Sequence, residues 1–207
     1  MSNRKGSAYI PAFIGVMAAA AFVSNFLSIP VGTSRVHLGN AVPLLSGMLF
    51  GGPLGALAAG LGSALFDLVY GFVDPVSGGA VPPVAEALVT FVNKGLMALV
   101  CGVIVNDRRN TAPRAVVTYI GAIAGALLYV ALFLIKTNLY SLAFTPHLLF
   151  AVVPARAVTS SINAAIAVLL APFLYHFLSL ALDRSGLREA IGPRLLHWPD
   201  RDAPTRA

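Results

Sequence analysis

The chain has 207 residues, a formal net charge of +6 and a mean hydropathy of +0.82. Hydrophobic residues make up 57% and charged residues 11%, against roughly 25% charged in a soluble domain. So few charges cannot cover that much apolar surface in water, which excludes an ordinary soluble enzyme, a disordered tail and a nucleic-acid module, and leaves a polytopic membrane protein of one domain.

Six apolar segments follow one another along the chain. They run from Ala8 to Ile29, Leu38 to Phe50, Leu54 to Phe72, Ala85 to Val105, Ala115 to Leu139 and Leu148 to Leu182. Gly and Pro mark the joints at Ile29-Pro30-Val31-Gly32, Gly51-Gly52-Pro53 and Asp74-Pro75 through Pro82-Pro83. A bilayer core takes about 20 helical residues. Five segments reach that length. The second is short, which requires an end buried in protein or facing a water-filled cavity. The last is too long for one upright span and predicts tilt or an irregular start near Pro154. The sequence thus predicts an all-α bundle of six membrane-spanning helices over residues 1–182. A polar tail over 183–207 follows, as a short interfacial helix or a solvated end.

Basic residues set the orientation. Arg4 and Lys5 precede the first segment, Arg108, Arg109 and Arg114 separate the fourth and fifth, and Arg184, Arg188 and Arg194 follow the sixth. Ten of the 14 basic residues fall on the side these groups define, so both termini are expected in the cytoplasm (N-in/C-in). The loops near 30–37, 73–84 and 140–147 are then outside. The basic start and Ala18-Ala19-Ala20-Ala21 imitate a signal peptide, but the apolar stretch is too long and ends in no small-x-small boundary.

Small residues recur at four-residue spacing: Ala8 with Ala12, Gly15 with Ala19, then Ala56, Gly60 and Ala64, and Gly121 with Gly125. Such faces let helices approach closely in lipid. In the third and fifth segments they read as packing within the bundle, and in the first equally as a face for a partner.

Polar residues inside a membrane are costly and each needs a reason. At about 1.5 Å of rise per residue, Asn40, Asp67, Glu86, Asn93, Lys94, Lys136, Arg156 and Asn163 all fall towards the outer side, with Asn25, Arg35 and His37. The inner halves of the same segments are almost free of ionisable groups. Charges from antiparallel segments gathered at one level describe a solute cavity open to the outside, where a few convergent polar groups orient a ligand. Two plainer readings stand beside this one. Asp67 and Lys94 can neutralise each other as a buried pair, and Lys136 and Arg156 can snorkel to headgroups. Glu86 and Asn163 are suited to reading donors and acceptors on a heterocycle. Phe66, Tyr70, Phe72, Phe91 and Tyr140 can stack on a ring or form the interfacial aromatic belt.

Several chemistries have no motif. The single Cys101 rules out an internal disulfide and a Cys-based zinc site, and His37 and His147 have no second ligand at helical spacing. There is no phosphate-binding Gly-x-x-x-x-Gly-Lys-Ser/Thr loop, no Gly-x-Ser-x-Gly elbow and no His-Glu-x-x-His. No catalytic residue, metal or cofactor is expected.

Four stretches together resemble a known family. They are Leu38-Gly39-Asn40 before the second segment, Leu49-Phe50-Gly51-Gly52-Pro53 at its end, Gly62-Ser63-Ala64-Leu65-Phe66-Asp67 in the third, and Lys94-Gly95-Leu96-Met97 in the fourth. The chain resembles the substrate-binding S components of energy-coupling factor (ECF) vitamin transporters, in particular the riboflavin and hydroxymethylpyrimidine-type group. The resemblance implies a six-helix protein of a bacterial or archaeal cell membrane. It implies capture of a vitamin or precursor from outside and delivery inward by toppling of the loaded bundle. A membrane coupling protein and two cytoplasmic ATPases are the implied partners. In that family an Ala-x-x-x-Ala element of the first helix meets the coupling protein; here Ala8 with Ala12, and Gly15 with Ala19, are the matching positions. A stand-alone small-solute transporter or channel, and an intramembrane enzyme or assembly factor, are the alternatives; co-purification of an ATPase separates the first from an S component.

Overall fold

The computed structural model describes residues 5–31, 34–70, 74–107 and 111–185, and only the backbone of 5–10 and 183. Among these residues the chain forms α1 (Lys5–Ser24), a hairpin of β1 (Ser28–Val31) and β2 (Ser34–His37), then α2 (Ala41–Phe50), α3 (Gly52–Tyr70), α4 (Pro83–Val105), α5 (Arg114–Phe144) and α6 (Leu149–Arg184). Four helices, α3 to α6, are long and apolar enough to cross a membrane, while the apolar parts of α1 and α2 are shorter.

The hairpin departs from the expectation that an apolar helix continues to Ile29. Ser24 Oγ and Asn25 Nδ2 donate back to Ala21 O, which competes with continuing the helix. Pro30 then holds Ile29 in the extended region. Antiparallel pairing runs from Ser28 opposite His37 to Val31 opposite Ser34.

Helix α2 lies inside the bundle, in contact with all five other helices. Nine of its ten residues are buried, so it is apolar on every side. Its rise of about 15 Å is half a bilayer core, so protein must satisfy its free ends. Asn106 Nδ2 reaches Gly47 O and Met48 O at 3.3 and 3.4 Å. Ser46 Oγ donates to Gly55 O at 2.9 Å, tying α2 to α3. Leu44, Met48, Met97, Cys101 and Val105 form the core between α2 and α4. Outward, Val69, Leu88, Leu127, Leu169 and Phe173 make an apolar perimeter of the kind a bilayer covers.

α6 spans 36 residues with Pro154 and Pro172 inside it. It begins after a 3-10 turn at Pro146–Leu148, so the irregular start precedes Pro154. A second 3-10 turn, Pro75–Ser77, caps the α3–α4 connection. Asp74 Oδ1 accepts from Val76 N at 3.0 Å, and Gly78 and Gly79 close the turn at φ 58° and 87°, where a Cβ would be strained. The helix α6 passes the expected boundary at residue 182 by two residues. The rest of the tail, and Arg4, Phe72, Arg108, Arg109, Arg188 and Arg194, lie outside the described residues, as do the side chains of Lys5 and Ala8.

Candidate substrate cavity

At the hairpin end of the bundle lies a cavity of about 260 Å³. Strand β2 contributes Arg35 and His37 to its wall, α3 Asp67, α4 Thr90, Asn93 and Lys94, α5 Tyr129, Phe133 and Lys136, and α6 Arg156, Ser160 and Asn163. Asp74 and Pro75 line it from the α3–α4 connection. Six of the eight polar residues expected to meet a ligand therefore share one wall: Asp67, Asn93, Lys94, Lys136, Arg156 and Asn163. The other two, Asn40 and Glu86, stand behind it. Asn40 Oδ1 accepts a hydrogen bond from Lys94 Nζ, and Glu86 Oε2 accepts from Lys136 Nζ at 2.9 Å.

Asp74 is the centre of the charge network. Arg156 grips it with two parallel bonds, Nη1 to Oδ2 at 2.9 Å and Nη2 to Oδ1 at 2.6 Å. Lys136 Nζ lies 3.0 Å from Asp74 Oδ2 and links on to Glu86. Two acids and two bases from the connection, α4, α5 and α6 thus neutralise one another. Burial alone would push the Asp74 carboxyl up, but the Arg156 bonds, the charges of Lys136 and Arg156 and the Val76 N–H outweigh it. They hold its pKa at about 2, against the usual 3.8. Lys136 and Arg156 therefore point into the bundle, and the snorkelling reading does not describe them.

The hairpin is pinned over the cavity by α6. Asn163 Oδ1 accepts from His37 N at 2.9 Å and its Nδ2 donates to Arg35 O at 3.0 Å. Thr159 Oγ1 and Ser34 Oγ are 2.9 Å apart. From α4, Lys94 Nζ donates to Gly39 O at 3.0 Å, just past the hairpin. Burial, then the charges of Lys94 and Arg35, hold the His37 imidazole well below its usual pKa, so it is neutral at pH 7.

Asp67 and Lys94 do not form the ion pair that their depths allow: among the described residues no salt bridge joins them. Lys94 Nζ instead stands 4.5 Å from the centroid of Tyr129, whose ring stacks on Phe133 at 6.1 Å and 16°. Sequence reasoning missed Tyr129, Phe133 and Asp74. The spacing of Tyr129, Phe133 and Lys136 is a signal it contains, since residues at i, i+4 and i+7 share one helix face. Of the aromatic residues it favoured, the four among the described residues lie elsewhere. Phe66 and Tyr70 form a cluster with Phe22 and Phe26, and Tyr140 packs on Phe144. Phe91 faces Gly60, where a Cβ would stand 2.8 Å from its ring.

On the first helix, Ala12, Gly15 and Ala19 are exposed. Gly15 and Ala19 line a groove whose other wall is Leu57, Leu61 and Leu65 of α3. The opposite side of α1 packs on α3 so closely that a Cβ at Gly62 would stand 2.8 Å from Ala21 Cβ.

The sequence matches the family described as ECF-type riboflavin transporter, S component, over residues 7–180. The chain belongs to that family. It is therefore a multi-pass membrane protein of a vitamin transporter, and the family is one of transport rather than of catalysis. The match takes in the whole cavity wall and all of the bundle but the first two residues of α1 and the last four of α6. No curated protein matches the chain significantly.

Proposed function

We propose that this S component captures a vitamin or vitamin precursor, riboflavin- or hydroxymethylpyrimidine-like, in the cavity under the hairpin, from outside a bacterial or archaeal cell. The observation that carries this reading is the cavity itself: a charged and aromatic pocket at one end of a bundle whose perimeter is apolar. The excess of basic residues at the other end supports placing the cavity outside. Asn40, Asp67, Glu86, Asn93, Lys94, Lys136, Arg156 and Asn163 hold the ligand or the groups that touch it. ATP is hydrolysed by two cytoplasmic ATPases, and the loaded bundle topples against a membrane coupling protein to open inward.

The first test is native mass spectrometry of protein purified gently from its own host, followed by incubation with a panel of B vitamins and their precursors. A bound molecule in the vitamin mass range is expected. A protein that stays empty throughout overturns the reading.

The exposed small residues of α1, namely Ala12, Gly15 and Ala19, with Ala8 at the matching position, are the proposed contact for the coupling protein. Nothing lies within 4 Å of a Cβ built at Gly15, so a bulky side chain there leaves the bundle intact. Gly15→Trp is expected to abolish co-purification of the coupling protein and ATPases while ligand affinity stays within about twofold. Retained co-purification would move the docking surface away from this groove.

A further inference from the structure

The hairpin of β1 and β2 has two faces of opposite character. Side chains alternate along a strand, and residues paired across an antiparallel ladder share a face. Ser28 pairs with His37 and Pro30 with Arg35, and Pro30, Arg35 and His37 all line the cavity. The other face carries Val31, Ile29 with its partner Val36 and, one step before the strand, Leu27, whose O accepts from Leu38 N at 3.1 Å. Only Ser34, opposite Val31, breaks the pattern, and its hydroxyl meets Thr159 of α6. The polar face is thus turned in and the apolar face out, the reverse of a sheet that shows one side to water. Leu27, Ile29 and Val31 are 59%, 68% and 47% exposed, and among the described residues of the hairpin no charged side chain stands on their face.

What covers this face follows from where it stands. Helix α3 rises about 28 Å over its 19 residues, nearly the thickness of a hydrocarbon core, and ends at Tyr70. Phe26, just before the hairpin, packs against that end, its ring centroid 5.0 Å from that of Tyr70 and 5.1 Å from that of Phe66. Around them Val23 of α1 and Val69 and Tyr70 of α3 are more than half exposed. The outer face of the hairpin therefore continues the apolar perimeter that lipid covers, and begins at the level where the acyl chains end. The backbone sets the upper limit on depth. Among the described residues β1 pairs with β2 alone, so the polar groups of its outer edge need water or headgroups as partners.

We propose that this face binds the membrane surface. The hairpin lies on the leaflet at the cavity end of the bundle, at the boundary of headgroups and acyl chains, with Leu27, Ile29 and Val31 in lipid. It is held from both sides, by the hydrogen bonds of Asn163 on the cavity side and by lipid on the other. The strand that brings Arg35 and His37 to the cavity wall belongs to a membrane-associated element, not to a loop in bulk water.

The test is spin labelling of the full chain in phosphatidylcholine vesicles. Leu27→Cys and Ile29→Cys place a nitroxide on the apolar face, and Ala80→Cys, at an exposed position between α3 and α4, is the aqueous control. The native Cys101 is buried and takes no label. Collisions with oxygen, which concentrates in lipid, and with a water-soluble nickel chelate report the depth. Labels at 27 and 29 are expected to favour oxygen, at about 5–10 Å into the interface, and the label at 80 to favour nickel. Ile29→Asp, read by the label at 27, should abolish the oxygen preference, since a carboxylate resists leaving water. The two labelled positions are independent, so either one decides the matter if the other variant does not fold.

Nickel access at 27 and 29 equal to that at 80 overturns the inference and leaves the transport reading standing. Spectral broadening that disappears when labelled protein is diluted with unlabelled protein does the same, because a second copy then covers the face. An oxygen preference that survives Ile29→Asp belongs to the label and not to the hairpin, and also overturns it.

Discussion

Asp74→Asn is expected to destabilise the protein by about 3–5 kcal/mol, the usual cost of removing one partner from a buried ion pair. Asp74 is 1% exposed and receives both guanidinium bonds of Arg156 and one contact from Lys136. Lys136 keeps Glu86 in the variant, but Arg156, 2% exposed, loses its carboxylate. The measurement is thermal or denaturant unfolding in one fixed detergent. The double replacement Asp74→Leu with Arg156→Met removes both charges together and should recover much of the loss, because an apolar pair of similar volume needs no counter-charge. A single variant as stable as the wild type would show that the network contributes nothing to the fold.

The same carboxyl makes a pH prediction. Its folded pKa of about 2 lies below the usual 3.8, so its contribution is fully present above about pH 4 and is lost as pH falls towards 2. Wild-type stability should drop through that window more steeply than that of Asp74→Asn, which has no carboxylate to protonate. Parallel curves would mean that other acids carry the acid sensitivity.

How much of this was legible depends on the range of the interactions. Helices declare themselves locally, through apolar composition and Gly-Pro joints, and α3 to α6 fall close to the apolar segments. The hairpin does not, because Ile29-Pro30-Val31 reads as the apolar end of a helix. What turns it is the pair of side-chain bonds from Ser24 and Asn25 to one carbonyl. The level of the cavity was legible, since polar side chains from antiparallel segments cluster at one depth. Their partners were not. Asp74 reads as loop punctuation before Pro75, and the cation that grips it is 82 residues away. Asn163 looks like a ligand-reading amide until the hairpin backbone is seen against it, 126 residues distant. Only the folded chain separates the side chains spent on one another from those left facing the cavity.

Gly102→Ala tests how the short helix α2 holds that wall. A Cβ at Gly102 would stand 2.6 Å from both Gly47 O and Gly52 N, and 2.7 Å from Gly51 C. These are backbone atoms at the end of α2 and the start of α3, so no rotamer change relieves the contact, and the helices must move apart. Overpacking of this kind costs about 1–3 kcal/mol, and the absence of any flexible neighbour places Gly102→Ala at the upper end. Gly15→Ala is the matched control. Both glycines sit inside helices, where alanine is favoured by about 1 kcal/mol, but Gly15 has open space around it. The control should therefore be neutral or mildly stabilising, and the difference between the two isolates packing from helix propensity. Ligand binding should follow the packing. Asn40 stands immediately before α2 and its Oδ1 accepts from Lys94 of α4, so a shift between these helices disturbs the ammonium at the cavity wall. Gly102→Ala should lose both stability and affinity, and Gly15→Ala neither. A stable Gly102→Ala protein with full affinity would show that the α2–α4 contact has slack, and that Lys94 is positioned by something other than the seating of this helix.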